Sequence, residues 1–516
     1  MSRIPSFKAR FARQAKAIFL AVTLLCGGAT IVQAAESDGT LDAAFGDNAM
    51  RDYSPFAGNN IRPLQAVAIG GTKVLTLVTA TNAQYQNDGF GLIMTTANGS
   101  YDTSFNSTGH MKFNATSPVT AYTPMQLIST GTAIYVGGTY TTASGSGIFT
   151  IKMNNSGVLD GSWGTNGISL IVQEFQAHNL KMQIGATSGS IYYMGYGNYD
   201  WFMKLNSSGA IDTSFGRTGA NGAGYYMGIF MGNPYAGYVT RSIFGFNIDE
   251  STSPVSVNIY TAPSGAQIVI QHLKFGTQQT SMTGVSGSIS LYQAEADASW
   301  TATSLISGSS STTNGFLRVD VPGNNAVIQS VRSSASFLYV VTNQQSSNAY
   351  KVVAIDLAQR RLFSGFGTGG ILDIASMGFD TGYGPNGIIA EQLGGDTLFV
   401  YGANSSYKGI VGKISNGAID TTFGTSGVAS FTACQTLSPS ALVRTSDGAL
   451  TALAAYMFMS DPTKLRIGRM ASGGSTTSCG TTTTTTTQAP QYNNPNNNQP
   501  PSNNPNVNNG MLPTLT

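Results

Sequence analysis

Charge is scarce in this chain: only 10% of its 516 residues are Asp, Glu, Lys or Arg, and the densest basic run is the first sixteen residues. Clustered Lys and Arg are what a phosphate backbone requires, so a nucleic-acid partner is excluded. Histidine and cysteine are scarcer still, three of each. His110, His178 and His272 form no pair with metal-ligand spacing, so neither a zinc site nor any other metal or cofactor is expected. The one acid near a histidine, Glu174 four residues before His178, reads as a surface pair. A Gly-x-Ser-x-Gly elbow, a phosphate loop and a dinucleotide fingerprint are all missing, which removes the common nucleophile and nucleotide chemistries. Long amphipathic periods are missing too, and very little helix is expected.

The two ends differ from the middle. Arg3, Lys8, Arg10, Arg13 and Lys16 precede an apolar run, Ala17 to Val32, that closes on small residues before Ala35. This pattern predicts a secretory signal peptide over 1–34, an exported product at the cell surface, outside the cell or in the periplasm, and no membrane span after cleavage. The leader carries five of the 26 basic residues and none of the 24 acidic ones, so the mature chain has a formal charge of 21 − 24 = −3. Cys26 leaves with the leader, and the remaining pair, Cys434 and Cys479, reads as one disulfide in an oxidising compartment. From residue 475 to 516 the composition turns to Thr, Asn and Pro with almost nothing apolar, which predicts a disordered tail.

What the chain has in abundance is glycine, 62 residues, and a motif that returns at intervals. IDTSFGRTG (Ile211 to Gly219) recurs as IDTTFGTSG (Ile419 to Gly427), LDGSWGTNG (Leu159 to Gly167) and YDTSFNSTG (Tyr101 to Gly109), and more loosely as LDAAFG (Leu41 to Gly46) and LFSGFGTGG (Leu362 to Gly370). The aspartate (Asp42, Asp102, Asp160, Asp212, Asp420) can accept hydrogen bonds from its own turn, as Asx motifs do. The ring (Phe45, Phe105, Trp163, Phe215, Phe366, Phe423) is a natural plug between packed units. A calcium role for the aspartates is set aside, because each turn offers one carboxylate where calcium wants several oxygens, and Phe363 stands in the Asp slot of one copy.

Between motifs run short apolar or alternating segments, four to a unit: HMKFNA, PMQLIST, AIYVGGTY and GIFTIKM after Gly109. The aligned positions 42, 102, 160 and 212, and later 363 and 420, set a period a little under sixty. Four short antiparallel strands at that period predict an all-β fold, a single β-propeller of four-stranded blades over residues 35–474. The stretch FLRVDV to YKVVAIDL (Phe316 to Leu357) reads as one full unit, and the irregular region 232–310 as an insertion or as degenerate blades. Seven blades are expected, eight being the alternative. An isolated motif at the mature N-terminus and strands without a following motif at the C-terminal end predict a strap that closes the ring.

The recurring Gly-x-[Ile/Leu]-Asp-x-[Ser/Thr]-Phe-Gly resembles the delta-60 repeat of bacterial exported and cell-surface proteins, over roughly Thr40 to Gly474. That resemblance implies a propeller and export, and it brings no enzymatic activity or catalytic residues with it. Two functional readings follow from the residues. In the first, the propeller is a non-catalytic binding or scaffolding module for protein or glycan, with Tyr225, Tyr226, Tyr235 and Tyr238 of the irregular region offering a contact surface. In the second, it is an extracellular hydrolase or lyase acting on polysaccharide through Asp249, Glu250, Glu295 and Asp297.

Overall fold

The computed structural model describes residues 37–47, 49–172, 178–185, 188–196, 200–216, 224–227, 257–261, 267–284, 287–296, 316–320, 326–333, 337–344, 350–356, 359, 361–380, 389–392, 397–406, 408–431, 437–456 and 463–471. The predicted leader and tail lie outside them. Strands and tight turns make up nearly all of this, with one helical turn, Ala375–Met377, among the described residues.

Six sheets follow one another along the chain. Blade 1 is built from Asn60–Ile69, Lys73–Thr81, Asn87–Thr95 and His110–Phe113, and blade 2 from Val119–Ser129, Ala133–Thr142, Gly145–Asn154 and Ile168–Val172. Blade 3 begins in the same way with His178–Ile184, Ile191–Tyr196, Asp200–Leu205 and Tyr225–Met227. Blade 4 has Ala326–Ser333, Phe337–Gln344, Tyr350–Asp356 and a fourth position shared by Arg361–Leu362 and Ile371–Asp373. Blade 5 repeats that plan with Ile389–Gln392, Thr397–Ala403, Gly409–Ser415, Ala418–Ile419 and Val428–Ser430. Blade 6 supplies only Leu437–Arg444, Leu450–Tyr456 and Lys464–Ala471 from the C-terminal side.

The missing outer strand of blade 6 comes from the other end of the chain. Thr40 pairs with Ala471 and Met50–Tyr53 with Leu465 to Gly468, both antiparallel. This is the predicted strap, and it turns a row of sheets with open ends into a propeller. First strands pack against one another from blade 4 through blades 5, 6, 1 and 2 to blade 3, and so line the axis. Most of them carry a β-bulge, at Pro63–Gln65, Pro124–Gln126 and Pro439–Ala441 among others, where a proline costs no ladder bond. The glutamines of the first two bulges reach across the gap between blades. Gln65 Oε1 accepts the Leu127 N–H at 2.8 Å, and Gln126 Oε1 accepts that of Met182.

Two expectations need correction. The propeller has six blades, not seven or eight, because the 151 residues from Asp212 to Phe363 do not divide into blades of ordinary size. Phe316–Asp320 does not open blade 4; it pairs with Gln267–Gly284, and so do Val257–Thr261 and Gly287–Ala296. Gly287–Ala296 in turn pairs in parallel with Tyr225–Met227, so all four extend blade 3 into an eight-stranded sheet. The second correction concerns phase. His110–Phe113 pairs with Asn87–Thr95, before the motif, rather than with the strands after it. In blades 1 to 5 the motif therefore leads from the third strand of a blade to its own outer strand instead of opening a new blade, and in blade 6 it lies between the two strap strands.

Candidate functional site

The motif turn is the same device in every blade. One residue of the third strand, Lys152 in blade 2, donates its N–H to the carbonyl of the last motif glycine, Gly167, at 2.9 Å and accepts the N–H of Asp160 at 3.0 Å. Met94, Lys204, Ala354, Lys413 and Arg469 make the corresponding pairs in the other blades, Lys204 with Gly224, five residues beyond the glycine that ends the motif in the sequence. In blade 6 the last glycine is replaced by Ala49, which adopts the same left-handed backbone at φ 68°.

Each aspartate then divides its two oxygens. Oδ1 of Asp160 accepts the backbone N–H and the hydroxyl of Ser162 at 3.0 and 2.6 Å, and Asp102, Asp212 and Asp420 treat Ser104, Ser214 and Thr422 alike. Asp42, with alanine two places on, keeps only the backbone bond, to Ala44. Oδ2 takes a cation: Lys152 for Asp160 at 2.8 Å, Lys204 for Asp212 at 2.9 Å, Lys413 for Asp420 at 3.0 Å and Arg469 for Asp42 at 2.6 Å. Blade 1 has Met94 where the lysine belongs, and Lys73 of the adjacent strand reaches Asp102 instead, at 2.6 Å. Blade 4 loses both partners together, with Ala354 and Phe363 in the two slots, so no charge is stranded.

The electrostatics follow from this geometry. The Lys152 ammonium and then the Ser162 hydroxyl hold the Asp160 carboxyl down to about 2. For Asp102 and Asp212 burial pushes upward, and hydrogen bonds from Lys73 and Ser104 and from Ser214 and Lys204 outweigh it, leaving both below the usual carboxylate range. Asp420 is lowered first by Thr422 and then, against burial, by Lys413. Several of the cations also lie on rings: Lys152 Nζ is 5.4 Å from the Trp163 centroid and Lys204 Nζ 5.6 Å from that of Tyr192. A cleft of about 440 Å³ beside blade 2 is lined by this pair, Lys152 and Asp160, together with Val158 and Thr132.

The aromatic of five of the six motifs reaches into the next blade. Phe105 is fully buried among residues of blades 1 and 2, Trp163 among those of 2 and 3, Phe366 between 4 and 5, Phe423 between 5 and 6, and Phe45 between 6 and 1. The residue after the ring adds a backbone bond to the same neighbour: Asn106 to Ser156 at 2.9 Å, Gly164 to Ser208 at 2.7 Å, Gly367 to Gly417 and Gly424 to Asp38 at 2.8 Å, and Gly46 to Asn98 at 3.0 Å. Ring and bond need a glycine opposite them. A Cβ on Gly157 would stand 3.0 Å from the Phe105 ring, and one on Gly209 2.7 Å from that of Trp163. Phe215 has the same place in blade 3 but is half-buried, 5.8 Å from Tyr192.

The motif residues thus form a clasp between blades. Sequence reasoning missed the cation of each pair, although a lysine seven or eight residues before the aspartate (Lys152, Lys204, Lys413) was its signal. It also missed Arg469, which holds Asp42, Asp447 and the Ala97 carbonyl at once and so ties the strap to blades 6 and 1. His110 sits between the rings of Phe56 and Tyr101, and burial pushes its pKa down.

The irregular region supplies the rest. Tyr225 and Tyr226 lie on the outer strand of blade 3, whose backbone alone is described, and Tyr235 and Tyr238 fall outside the described residues. Of the four carboxylates named for a hydrolase, Asp249, Glu250 and Asp297 are outside as well, and Glu295 stands opposite Lys274 in the hairpin ladder. Cys434 and Cys479 are also outside. Among the described residues no group of three or more His, Cys, Asp or Glu gathers as a metal site, and no helix is long and apolar enough to cross a membrane.

No protein-family model matches the chain, and no curated protein does either. Solved structures similar to it include the propeller of Dos1 (9% identity, TM-score 0.37, covering 81% of this chain and 95% of that one). A protein of unknown function from Dyadobacter fermentans is similar at 8% identity and TM-score 0.37, over 83% of this chain and 99% of that one. The β-propeller domain of the trilobed protease from Pyrococcus furiosus, with an open velcro topology, is similar at 7% identity and TM-score 0.33, over 72% and 99%. What makes this chain a propeller is its own strand order and its closure by Thr40–Leu41, not these likenesses.

Proposed function

We propose that this protein is an exported, cell-surface or extracellular propeller of the delta-60 type that binds protein or glycan without catalysing a reaction, and that the extension of blade 3 carries its specificity. One observation supports the placement. Four of the five ordinary blades spend their recurrent polar residues on the clasp, where the motif aspartate is already consumed by a cation and its own turn, and blade 4 has neither partner. Blade 3 alone doubles its strand number, from four to eight, and does so outside the clasp.

The test uses the mature protein, residues 35–516, and a form in which residues 228–322 are replaced by a short Gly-Ser linker. Binding to a panel of glycans and to cell-surface protein extracts is measured for both, with thermal unfolding to show that the remaining blades are intact. Binding that disappears with the extension supports the proposal. Undiminished binding by the shortened form sinks it.

A further inference from the structure

Three Asn-Gly pairs lie among the described residues: Asn98–Gly99, Asn166–Gly167 and Asn416–Gly417. In such a pair no Cβ shields the glycine nitrogen, which can reach the side-chain carbonyl carbon of the asparagine before it. Whether it does so in a folded protein depends on how free the peptide between the two residues is to turn. The fold answers differently at the three places.

Asn98 is fastened on every side. Its Oδ1 accepts the Thr96 hydroxyl at 2.6 Å and the Ser100 N–H at 3.0 Å, its carbonyl accepts the Gly46 N–H at 3.0 Å, and Gly99 donates its N–H to the Thr96 carbonyl at 3.0 Å. At the second pair the motif turn holds the nitrogen, since Gly167 donates its N–H to the Trp163 carbonyl at 2.8 Å. Asn416–Gly417 is unlike both. It is the two-residue turn between Gly409–Ser415 and Ala418–Ile419, and its φ values of 50° and 74° make it a type I′ hairpin turn. Such a turn is closed by its flanking residues, here Ser415 and Ala418, and leaves its central peptide unpaired. The Asn416 carbonyl and the Gly417 N–H accordingly have no hydrogen-bond partner among the described residues, and neither has the exposed Asn416 side chain.

We propose that Asn416 is a site of spontaneous covalent modification, deamidating through a cyclic imide to aspartate and isoaspartate. The Gly417 nitrogen attacks Cγ of Asn416 and forms a bond to it, the Cγ–Nδ2 bond breaks, and Nδ2 leaves as ammonia, the proton lost by Gly417 completing it. Water, the one co-reactant, then opens the imide ring at either carbonyl. Opening at Cγ restores the ordinary backbone with an aspartate side chain, and opening at the main-chain carbonyl routes the backbone through Cβ and Cγ, one carbon longer.

The position gives that extra carbon a structural consequence. The Gly417 carbonyl accepts the Gly367 N–H at 2.8 Å, which is the bond by which the blade 4 motif docks on blade 5. A Cβ on Gly417 would stand 2.6 Å from both the Gly365 carbonyl oxygen and the Phe366 Cα, so the turn has no slack on that side. Isoaspartate therefore shifts the Gly417 carbonyl off Gly367. Blade 4 is also the blade without the aspartate–cation pair, so its clasp consists of the Phe366 ring and this bond.

The experiment incubates the mature protein, residues 35–516, at mildly alkaline pH and follows each Asn-Gly pair by peptide mapping with enzymatic methylation of isoaspartate. Asn416 is expected to convert about tenfold faster than Asn98 or Asn166, each of which must first release a backbone hydrogen bond. In guanidinium chloride, where the turns are gone, the three rates should converge. Conversion of Asn98 or Asn166 as fast as Asn416 in the folded protein, or none at Asn416, overturns the proposal. Rates equally unequal in denaturant overturn it too, because the local sequence and not the fold would then set them. Asn416→Gly, which suits the turn and lacks the amide, separates the chemistry from its consequence. After the same incubation the Gly367 amide is expected to exchange hydrogen about tenfold faster in molecules carrying isoaspartate and to be unchanged in Asn416→Gly. Equal protection of Gly367 in the two refutes the loosened clasp.

Discussion

Truncating the ring of one clasp tests the inter-blade reading most directly. Phe105 is 0% exposed, touches both blades 1 and 2, and lies against Gly157 of the neighbouring turn. Phe105→Ala removes a whole buried ring and leaves a cavity against backbone that is held in place by its own hydrogen bonds, including Asn106 to Ser156. The expected cost is about 3–5 kcal/mol, the range for a large core aromatic whose site cannot collapse. Phe215 is the internal control, since it fills the same motif position but is only half-buried. Phe215→Ala is expected to cost about 1.5–2 kcal/mol, in proportion to the smaller area withdrawn from water. The assay is urea unfolding followed by far-ultraviolet circular dichroism, with hydrogen exchange read at the amides of blades 1 and 2, because repeat arrays unfold through neighbour-coupled units. A loss in Phe105→Ala no larger than in Phe215→Ala would refute the clasp as the main source of inter-blade stability.

Closure gives a second expectation. Arg469→Ala strands the carboxylates of Asp42 and Asp447 and should cost about 3 kcal/mol, while deleting residues 35–53 exposes the outer edge of blade 6 and should lower the thermal midpoint further; an unchanged midpoint for the deletion excludes the strap. The clasp carboxylates make stability fall in acid. Asp102, Asp160, Asp212 and Asp420 have folded pKa values below their ordinary 3.8, so their contribution is present above that value and is lost as pH falls through the folded values, over about pH 4 to 2; Asp160→Asn should flatten the slope of midpoint against pH in that window. Blade 4 suggests a rescue: Lys413→Ala alone should destabilise, and adding Asp420→Phe should recover about 1 kcal/mol in a double-mutant cycle, whereas strict additivity would show that the pair is uncoupled. For the disulfide, Cys434 and Cys479 lie outside the described residues, and the expectation rests on an even pair of cysteines in an oxidising compartment. A cross-linked peptide holding both cysteines in the unreduced protein is the expected result, and alkylation of two free thiols overturns it.

Some of this architecture was legible in the sequence. The motif told where turns lie and which ring plugs the core, because its Asp, aromatic and Gly each answer a local requirement that recurs unchanged. The phase of the blade was not legible. IDTSFG looks like a boundary since it is glycine-rich, yet the sheets are actually cut at segments such as Asn114 to Pro118, which carry weaker punctuation. Blade number failed for a related reason: VNIYT, QIVIQ and FLRVD alternate just as blade strands do, and alternation names a strand without naming its partner. The cations of the clasp were missed because a lysine on a strand is usually a solvated side chain, and only its recurrence seven or eight residues before the aspartate marks it.

The location of the extension follows from where the fold can absorb length. Chain added within the motif would separate a ring from the turn it plugs, and chain added between the first three strands would break the ladder beside the axis. The connector from one blade's outer strand to the next blade's first strand does neither. It is five residues from blade 1 to blade 2, 114–118, and 98 residues from blade 3 to blade 4, 228–325. In entropy alone that twentyfold difference costs only about 2.5 kcal/mol, since each doubling of a loop adds about 0.6. The hairpin's nine-residue-pair ladder and the three-stranded sheet beyond it offset that cost with their own hydrogen bonds. A propeller clasped at its motif turns can therefore carry a large elaboration at a connector without loosening its ring, and the intact IDTSFG of blade 3, directly before the extension, is what that argument requires.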